Sequence, residues 1–325
     1  MKILSLFDGM SVAQQALKDL GIPIETYYAS EIDKYAIAVT QSNFPETVQL
    51  GDVSLLHFDE VFRKTVVDID LMIGGSPCQD LSIAKKNREG LKGARSGLFY
   101  EYVRIRDEVN PKYFILENVA SMPKEAKETI SEALGVEPVM INADLVSAQN
   151  RKRLFWVGKW NGEKYEQVEI PQPEDRGILL KDVVETSENI VYQNRHRIEE
   201  KCRINKSGKC PTLLSAMGTG GDNVPYVTPV ALRNRGEGKK PEYNNTGRAN
   251  ALTSVQTDSM VQDNTQIRKL TPTECLRLQS MPDDYFDKAT CNNKPISNTQ
   301  RYKMCGNAFN CEVIKHIIKN LDFDI

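Results

Sequence analysis

The chain has no Cys-x-x-Cys pair, although seven cysteines are spread over its 325 residues. The missing pair and the odd thiol count argue against a disulfide framework and a zinc knuckle, and point to a reducing cytosol. There is no run of about 18 apolar residues, so a membrane-spanning helix is not expected. The opening Met1-Lys2-Ile3-Leu4-Ser5-Leu6-Phe7-Asp8 reaches an acid too early for the apolar region of a secretory leader. No Gly-x-Gly-x-x-Gly occurs, which counts against a nicotinamide-dependent oxidoreductase. Charge of either sign is not in large excess: 42 Lys and Arg against 44 Asp and Glu give a formal net charge of −2. That total taken alone argues against a nucleic-acid partner.

The distribution of charge reverses that inference. Residues 190–269 hold 13 Lys and Arg and 7 Asp and Glu, a net of +6, so the chain total leaves −8 for the remainder. A basic segment in an otherwise acidic chain suits a localised contact to phosphate. A lysine-rich solvated loop is the alternative, and charge alone does not separate the two.

What is present is an alternation of short apolar runs and helical stretches over the first 160 or so residues. Strands are expected at Lys2–Phe7, Ile24–Glu31, Leu71–Gly74, Tyr113–Glu117, Val136–Ala143 and Leu154–Gly158. Helices are expected at Met10–Leu20, Asp33–Asn43 and Ser96–Val109. This pattern predicts an α/β fold with a parallel sheet covered on both faces, whose ligands bind at the carboxyl ends of the strands. From about Glu163 the chain becomes rich in Pro and Gly, which suggests small strands and long loops. The stretch starting at Gly208 and the stretch starting at Gly247 echo each other as two hairpin arms. Helical patterning returns at Thr273–Gln279 and Ala308–Ile318.

The polar residues just after strands carry the chemistry. Phe7-Asp8-Gly9-Met10-Ser11 is a tight turn between strand and helix, either structural or a close backbone approach to a ligand. Glu31 follows the second strand, where an acid commonly accepts from ribose hydroxyls, and Asp33 is a candidate helix cap. Asp52 adds a third acid, placed to accept from an adenine amino group; the three signals in order favour an adenosine-type cofactor. Gly74-Gly75-Ser76-Pro77-Cys78-Gln79-Asp80 is the strongest feature. Its Gly-rich polar loop argues for an exposed nucleophilic Cys78 over the usual buried, inert cysteine. Glu117-Asn118-Val119 puts a carboxylate at a strand end, a proton donor if burial raises its pKa. Arg151 and Arg153 share a side of an extended segment and suit an anionic or carbonyl-rich group, with ordinary salt bridges as the alternative.

Taken in order, these elements resemble the cytosine-C5 DNA methyltransferase family over nearly the whole chain. Leu270-Thr271-Pro272-Thr273-Glu274-Cys275-Leu276-Arg277-Leu278 and Gly306-Asn307-Ala308 complete the series. Length and the long basic region are similar to bacterial or phage modification enzymes. Leu6–Gly9, Pro77–Ser82 and Arg153–Trp156 are also similar to the animal de novo branch. The resemblance implies a Rossmann-like S-adenosylmethionine-dependent methyltransferase sheet (residues 1–165 plus 300–325), with a smaller, mostly β or irregular target-recognition domain inserted (166–299). It implies that Cys78 attacks cytosine C6 while Glu117 serves N3, that Arg153 contacts O2, and that Arg151 and Asn118 position the group. By similarity, S-adenosyl-L-methionine is held by Phe7, Asp8, Gly9, Met10, Glu31, Ile32, Asp52, Val53, Pro77, Leu98, Asn307 and Ala308. Duplex DNA is the implied partner, its cytosine flipped out beneath a mobile loop at Ile83–Arg95. DNA contacts are assigned to Lys85, Arg88, Arg95, Arg195, Arg197, Arg233, Arg235 and Arg248, with Ser215–Asn223 as a recognition loop. No metal is implied; a cytoplasmic monomer is expected, with or without a cognate restriction endonuclease.

Departures fall in the cofactor turn, where Ser11 and Val12 replace the usual second and third glycines, and at Ala308-Phe309. The other six cysteines match no catalytic position and read as structural. A tRNA methyltransferase of the same family is the nearest alternative; its small-domain Cys-Phe-Thr tripeptide is missing here. A non-catalytic DNA-binding relative is the other, and the intact Cys78, Glu117, Arg151 and Arg153 count against it.

Overall fold

The computed structural model describes residues 1–56, 66–76, 98–185, 228–234, 239–243, 248–250, 252, 260–263 and 266–323. Pro77, Cys78, Lys85, Arg88, Arg95, Arg195, Arg197 and Arg235 lie outside the described residues, as do the loops 83–95 and 215–223 and the first hairpin arm.

The central sheet has eight strands. β1 (Lys2–Leu6), β2 (Thr26–Ser30), β3 (Val48–Gln49), β4 (Leu71–Gly75), β5 (Tyr113–Val119), β6 (Pro138–Asn142) and β8 (Lys152–Trp160) run in the order β3-β2-β1-β4-β5-β8-β6, and β9 (Tyr165–Gln167) pairs with β8. β1 to β5 are parallel, with Leu6 opposite both Ser30 and Gly74. Strand order reverses between β1 and β4, which opens the crevice where ligands sit in such sheets. Helices α1 (Val12–Asp19), α2 (Lys34–Asn43), α3 (Leu98–Val109) and α4 (Lys124–Leu134) connect the strands. Asp33 caps α2, its carboxylate accepting from the Tyr35 amide at 3.0 Å. Two apolar clusters cover the sheet faces, one around Ile3, Ile73 and Ile115 and one around Leu4, Met72, Phe114 and Trp156. Alternate residues of each strand feed opposite clusters, and each fully buried Leu or Ile contributes about 1.5–3 kcal/mol.

The expected all-parallel sheet is corrected at its far side, where β8 pairs antiparallel with both β5 and β6. Only nine residues separate β6 from β8, fewer than the dozen or so that a parallel crossover needs. An antiparallel strand offers its beginning, not its end, to the ligand edge. Arg153 therefore lies opposite Val119 in register.

The second half of the chain divides in two. β10 (Thr228–Asn234), β11 (Lys239–Tyr243), β13 (Met260–Asp263) and β14 (Gln266–Lys269) form an antiparallel four-stranded sheet with Arg233 opposite Lys240. The segments flanking it join the main core instead. Ile170 and Leu180 on one side, and Leu270, Leu276, Met281, Phe286 and Ile296 on the other, pack in the same cluster as Ile3.

Helix α5 (Pro272–Leu278) starts at a capping box: Thr271 accepts from the Glu274 amide and Glu274 from the Thr271 amide, with Pro272 in the first turn. α6 (Asn298–Asn307) and α7 (Cys311–Lys319) follow; α7 packs on α1 and buries Val313, Ile314, Ile317 and Ile318. A short β7 (Gln149–Asn150) pairs with β12 (Ala249–Asn250) and joins the two parts. Burial pushes the thiols of Cys275 and Cys311 up to about 12, which suits packing rather than reactivity.

Candidate active site

The ends of β1, β2, β3, β4 and β5 and the start of β8 meet along one edge of the sheet. β5 runs on to Val119, two residues past the expected end; Glu117 is paired on both sides, with Gly75 of β4 and Phe155 of β8, and Asn118 and Val119 pair with β8 alone. Glu117 lies opposite Gly75 in register. Its Oε1 sits 2.7 Å from Nε of Arg153, and both side chains are largely buried. Glu117, Arg151, Arg153, Phe155, Phe309 and Asn310 line one pocket.

Gly75 makes this proximity possible. A Cβ there would lie 2.9 Å from the Phe309 ring and 3.1 Å from Glu117 Oε2. Asn118 is buried, and its amide group donates to the Ser76 hydroxyl at 3.2 Å. Ser76 is the last described residue before Pro77 and Cys78, so Asn118 holds the point where the chain leaves the sheet toward the thiol.

Arg151 and Arg153 face the same pocket, as their i, i+2 spacing predicts, but with different partners. Arg151 is 4% exposed. Its guanidinium donates to the carbonyls of Leu252 at 3.1 Å, Gly306 at 3.2 Å and Ala308 at 2.7 Å. It joins the start of β8, the Leu252 backbone just after β12 and the α6–α7 connection. Beside it, Gln149 donates to the carbonyl of Leu278 at 3.0 Å and to the side chain of Gln279 at 3.2 Å, while Gln279 donates to the carbonyl of Cys305 at 2.6 Å. Gln279 had no mark in the sequence, because its role arises from contacts 26 and 130 residues away.

The residues expected to hold the cofactor include a group at the ends of β1 to β3. The Glu31 carboxylate accepts from the backbone amides of Gly9, Ile32 and Asp33, each at 2.8 Å. Ile32 is 72% exposed, an unusual apolar surface beside a carboxylate. Asp52 caps a short 3-10 turn by accepting from Ser54 N at 2.9 Å, and Val53 is buried behind it. Leu98 opens α3 and Asn307, exposed, ends α6. Lys303 joins α6 to the β2–α2 turn through a 2.6 Å ion pair with Asp33.

Two expected contacts are turned elsewhere. The Asp8 carboxylate points into the protein, accepting from Ser11 Oγ at 2.5 Å and Tyr27 Oη at 2.8 Å. Burial pushes its pKa up to about 6, although those hydroxyls work in the opposite direction. Arg248, assigned above to DNA, is paired within the protein: Nη2 lies 2.8 Å from Asp175, and Nη1 lies 3.5 Å from Asp144. A guanidinium so engaged ties the start of β12 to the segment around Asp175. Among the described residues there is no cluster of His, Cys, Asp and Glu suited to a metal, and no helix long and apolar enough to cross a membrane.

A sheet of this order, with β8 antiparallel between β5 and β6, has the Rossmann-like methyltransferase fold. The C-5 cytosine-specific DNA methylase family matches residues 1–322, and the chain belongs to that family. It is 28% identical to the type II methyltransferase M.Bsp6I of Bacillus sp. (strain RFL6), over 99% of this chain and 98% of that protein. Identity to the type II methyltransferase M.HhaI of Haemophilus parahaemolyticus is 26%, over 99% and 94% of the two chains. Among solved structures, DNMT2 of Spodoptera frugiperda shares the fold with a TM-score of 0.62 at 19% identity, covering 98% of each chain.

The cradle at Gly75 yields a direct test. Gly75→Ala drives a methyl group against Phe309 and Glu117 and is expected to lower turnover by about 10²-fold, since displacements near 1 Å at reacting groups have effects of that size. Steady-state kinetics beside a melting curve would show it; unchanged turnover would remove Gly75 from the site.

Proposed function

We propose that the protein transfers a methyl group from S-adenosyl-L-methionine to C5 of a flipped-out cytosine in a specific double-stranded DNA sequence, through a covalent bond between Cys78 and C6. The observation that carries this reading is the Glu117–Arg153 pair at 2.7 Å, with Glu117 on β5, the strand beside β4 that precedes Pro77-Cys78, and Arg153 on β8, the next strand along.

Cytosine C5 is too weak a nucleophile to react unaided. Addition of the Cys78 thiolate to C6 makes the ring enamine-like, so C5 becomes nucleophilic. Glu117 hydrogen-bonds or protonates N3, and negative charge need not accumulate on the ring. Arg153 keeps Glu117 in place and presents guanidinium N–H groups toward the pocket for O2. Asn118 steadies the chain before Cys78 through Ser76. Loss of the C5 proton to a base, for which water suffices, lets the C6–S bond break and frees the thiolate.

The turn at the cofactor end fits S-adenosyl-L-methionine. Gly9 has open space where a side chain would be. The Glu31 carboxylate is anchored at the end of β2, and Ile32 offers an apolar face to an adenine. Phe7, Met10, Glu31, Asp52, Val53, Leu98 and the Asn307–Ala308 segment would surround it. When bound, it supplies the electrophilic methyl group.

In this reading the recognition unit narrows to about residues 186–269, because both flanks of that stretch share the catalytic core. Arg195, Arg197, Arg233 and Arg235 contact bases or phosphates in the major groove, and Lys85, Arg88 and Arg95 follow Cys78 over the flipped base. The protein acts as a monomer in the cytoplasm.

Incubation with methyl-labelled S-adenosyl-L-methionine and either duplex DNA or tRNA tests the proposal. Label is expected in duplex DNA, at cytosines that bisulfite sequencing locates. Label in tRNA alone, or in neither, would overturn it.

A further inference from the structure

The turn after β1 contains three left-handed residues within five: Phe7 at φ +57, Gly9 at +62 and Ser11 at +60. Glycine tolerates this backbone freely, and a residue with a Cβ does not. Ser11 occupies the cap position of α1, where a serine normally takes an extended backbone and accepts from the first helical amides. Here its backbone is left-handed and its side chain makes no cap bond. The hydroxyl, fully buried, donates instead to Asp8 Oδ2 at 2.5 Å, while the Ser11 amide donates to the Asp8 carbonyl at 3.2 Å.

Two more groups hold the same turn from behind. Tyr27 Oη of β2 donates to Asp8 Oδ1 at 2.8 Å, and Tyr285 Oη donates to the Met10 carbonyl at 2.7 Å. The inner side of the turn is thus tied at Asp8, Met10 and Ser11. Its outer side presents the Gly9 amide to Glu31 and leaves open space at the Gly9 α-carbon.

We propose that Asp8 and Ser11 are positioning residues for the cofactor: their buried hydrogen bond holds a backbone shape at position 11 that a glycine would adopt unaided. This rests on the reading of the turn as the S-adenosyl-L-methionine site. Neither side chain touches the cofactor. They set the path of the Phe7–Met10 backbone, and through it the relation of Gly9 to Glu31. The physical content is a substitution pattern in which glycine, the smallest residue, is the conservative one.

The test uses the full chain, with calorimetric titration of S-adenosylhomocysteine beside kcat and KM. Ser11→Ala keeps the Cβ and loses the hydroxyl; its dissociation constant is expected to rise about tenfold, the factor that an uncompensated left-handed residue represents. Ser11→Gly should bind within about twofold of the parent, because the backbone needs no brace. Asp8→Ala should weaken binding about tenfold in the parent and by clearly less in the Ser11→Gly background, a coupling that a double-mutant cycle measures. At saturating cofactor kcat should stay within about twofold, so the effect falls on KM. If Ser11→Ala fails to fold, Ser11→Asn replaces it, since asparagine accepts left-handed backbone, and should bind better than Asp8→Ala. Equal losses for Ser11→Gly and Ser11→Ala, or an Asp8→Ala effect that is the same in both backgrounds, would overturn the brace. A parent protein that binds no S-adenosylhomocysteine would overturn the cofactor reading itself, and the brace with it.

Discussion

Cys78→Ser is expected to reduce methyl transfer by at least about 10³-fold while leaving the dissociation constant of S-adenosylhomocysteine within about twofold. A free thiol has a pKa near 8.5 and is already a strong nucleophile as its thiolate, whereas a serine hydroxyl needs a dedicated base to attack. Among the described residues that meet at the end of β4 none supplies one in this reading: Glu117 pairs with Arg153 and serves N3, and Asn118 bonds to Ser76. Serine is nearly isosteric with cysteine, so the loss would be chemical rather than structural. Single-turnover measurements with labelled cofactor and duplex DNA, beside a binding titration, would show it. Full activity in the variant would refute the thiolate mechanism.

Arg151→Ala is expected to have the largest effect on stability, about 3–5 kcal/mol, as when one member of a buried, charge-assisted network is removed. Its guanidinium donates to three carbonyls, and losing it leaves Leu252, Gly306 and Ala308 without those donors in a nearly dry seam. The melting temperature should fall by on the order of 10 °C. Arg151→Lys should recover little, because an ammonium is a point donor and cannot match a planar fork spanning separate segments. A melt within about 2 °C of the parent for Arg151→Ala would show that the seam is not held there. Because Phe309 follows Ala308 and lines the pocket, turnover should fall as well.

These two residues differ in how legible they were. The Gly-rich loop around Cys78 marks it as a candidate nucleophile, because strand, turn and polar loop are local patterns. The pairing of Glu117 with Arg153 was half visible. Both were singled out, but their contact depends on β8 running antiparallel, and that follows from the short link between β6 and β8 rather than from the apolar pattern of either strand. Asp8 and Arg248 show the opposite case. Their residue types suit a ligand-facing acid and a DNA-facing base; the fold buries Asp8 against Tyr27 and Ser11 and engages Arg248 in ion pairs with Asp175 and Asp144.

Local order along the chain was enough to establish the α/β alternation, the acids after successive strands, the return of helix at Thr273–Gln279 and the family resemblance. Each depends on residues within a few positions of one another, where periodicity and side-chain chemistry act directly. Three features required the tertiary structure: the partners of Arg151, 101 to 157 residues away, the bond from Tyr27 to Asp8 across 19 residues, and the division of the second half between the main core and the four-stranded sheet. The physical reason is common to all three. A buried polar group must find a partner wherever the fold provides one, and an apolar segment joins whichever core is nearest in space, so neither outcome is encoded in neighbouring residues.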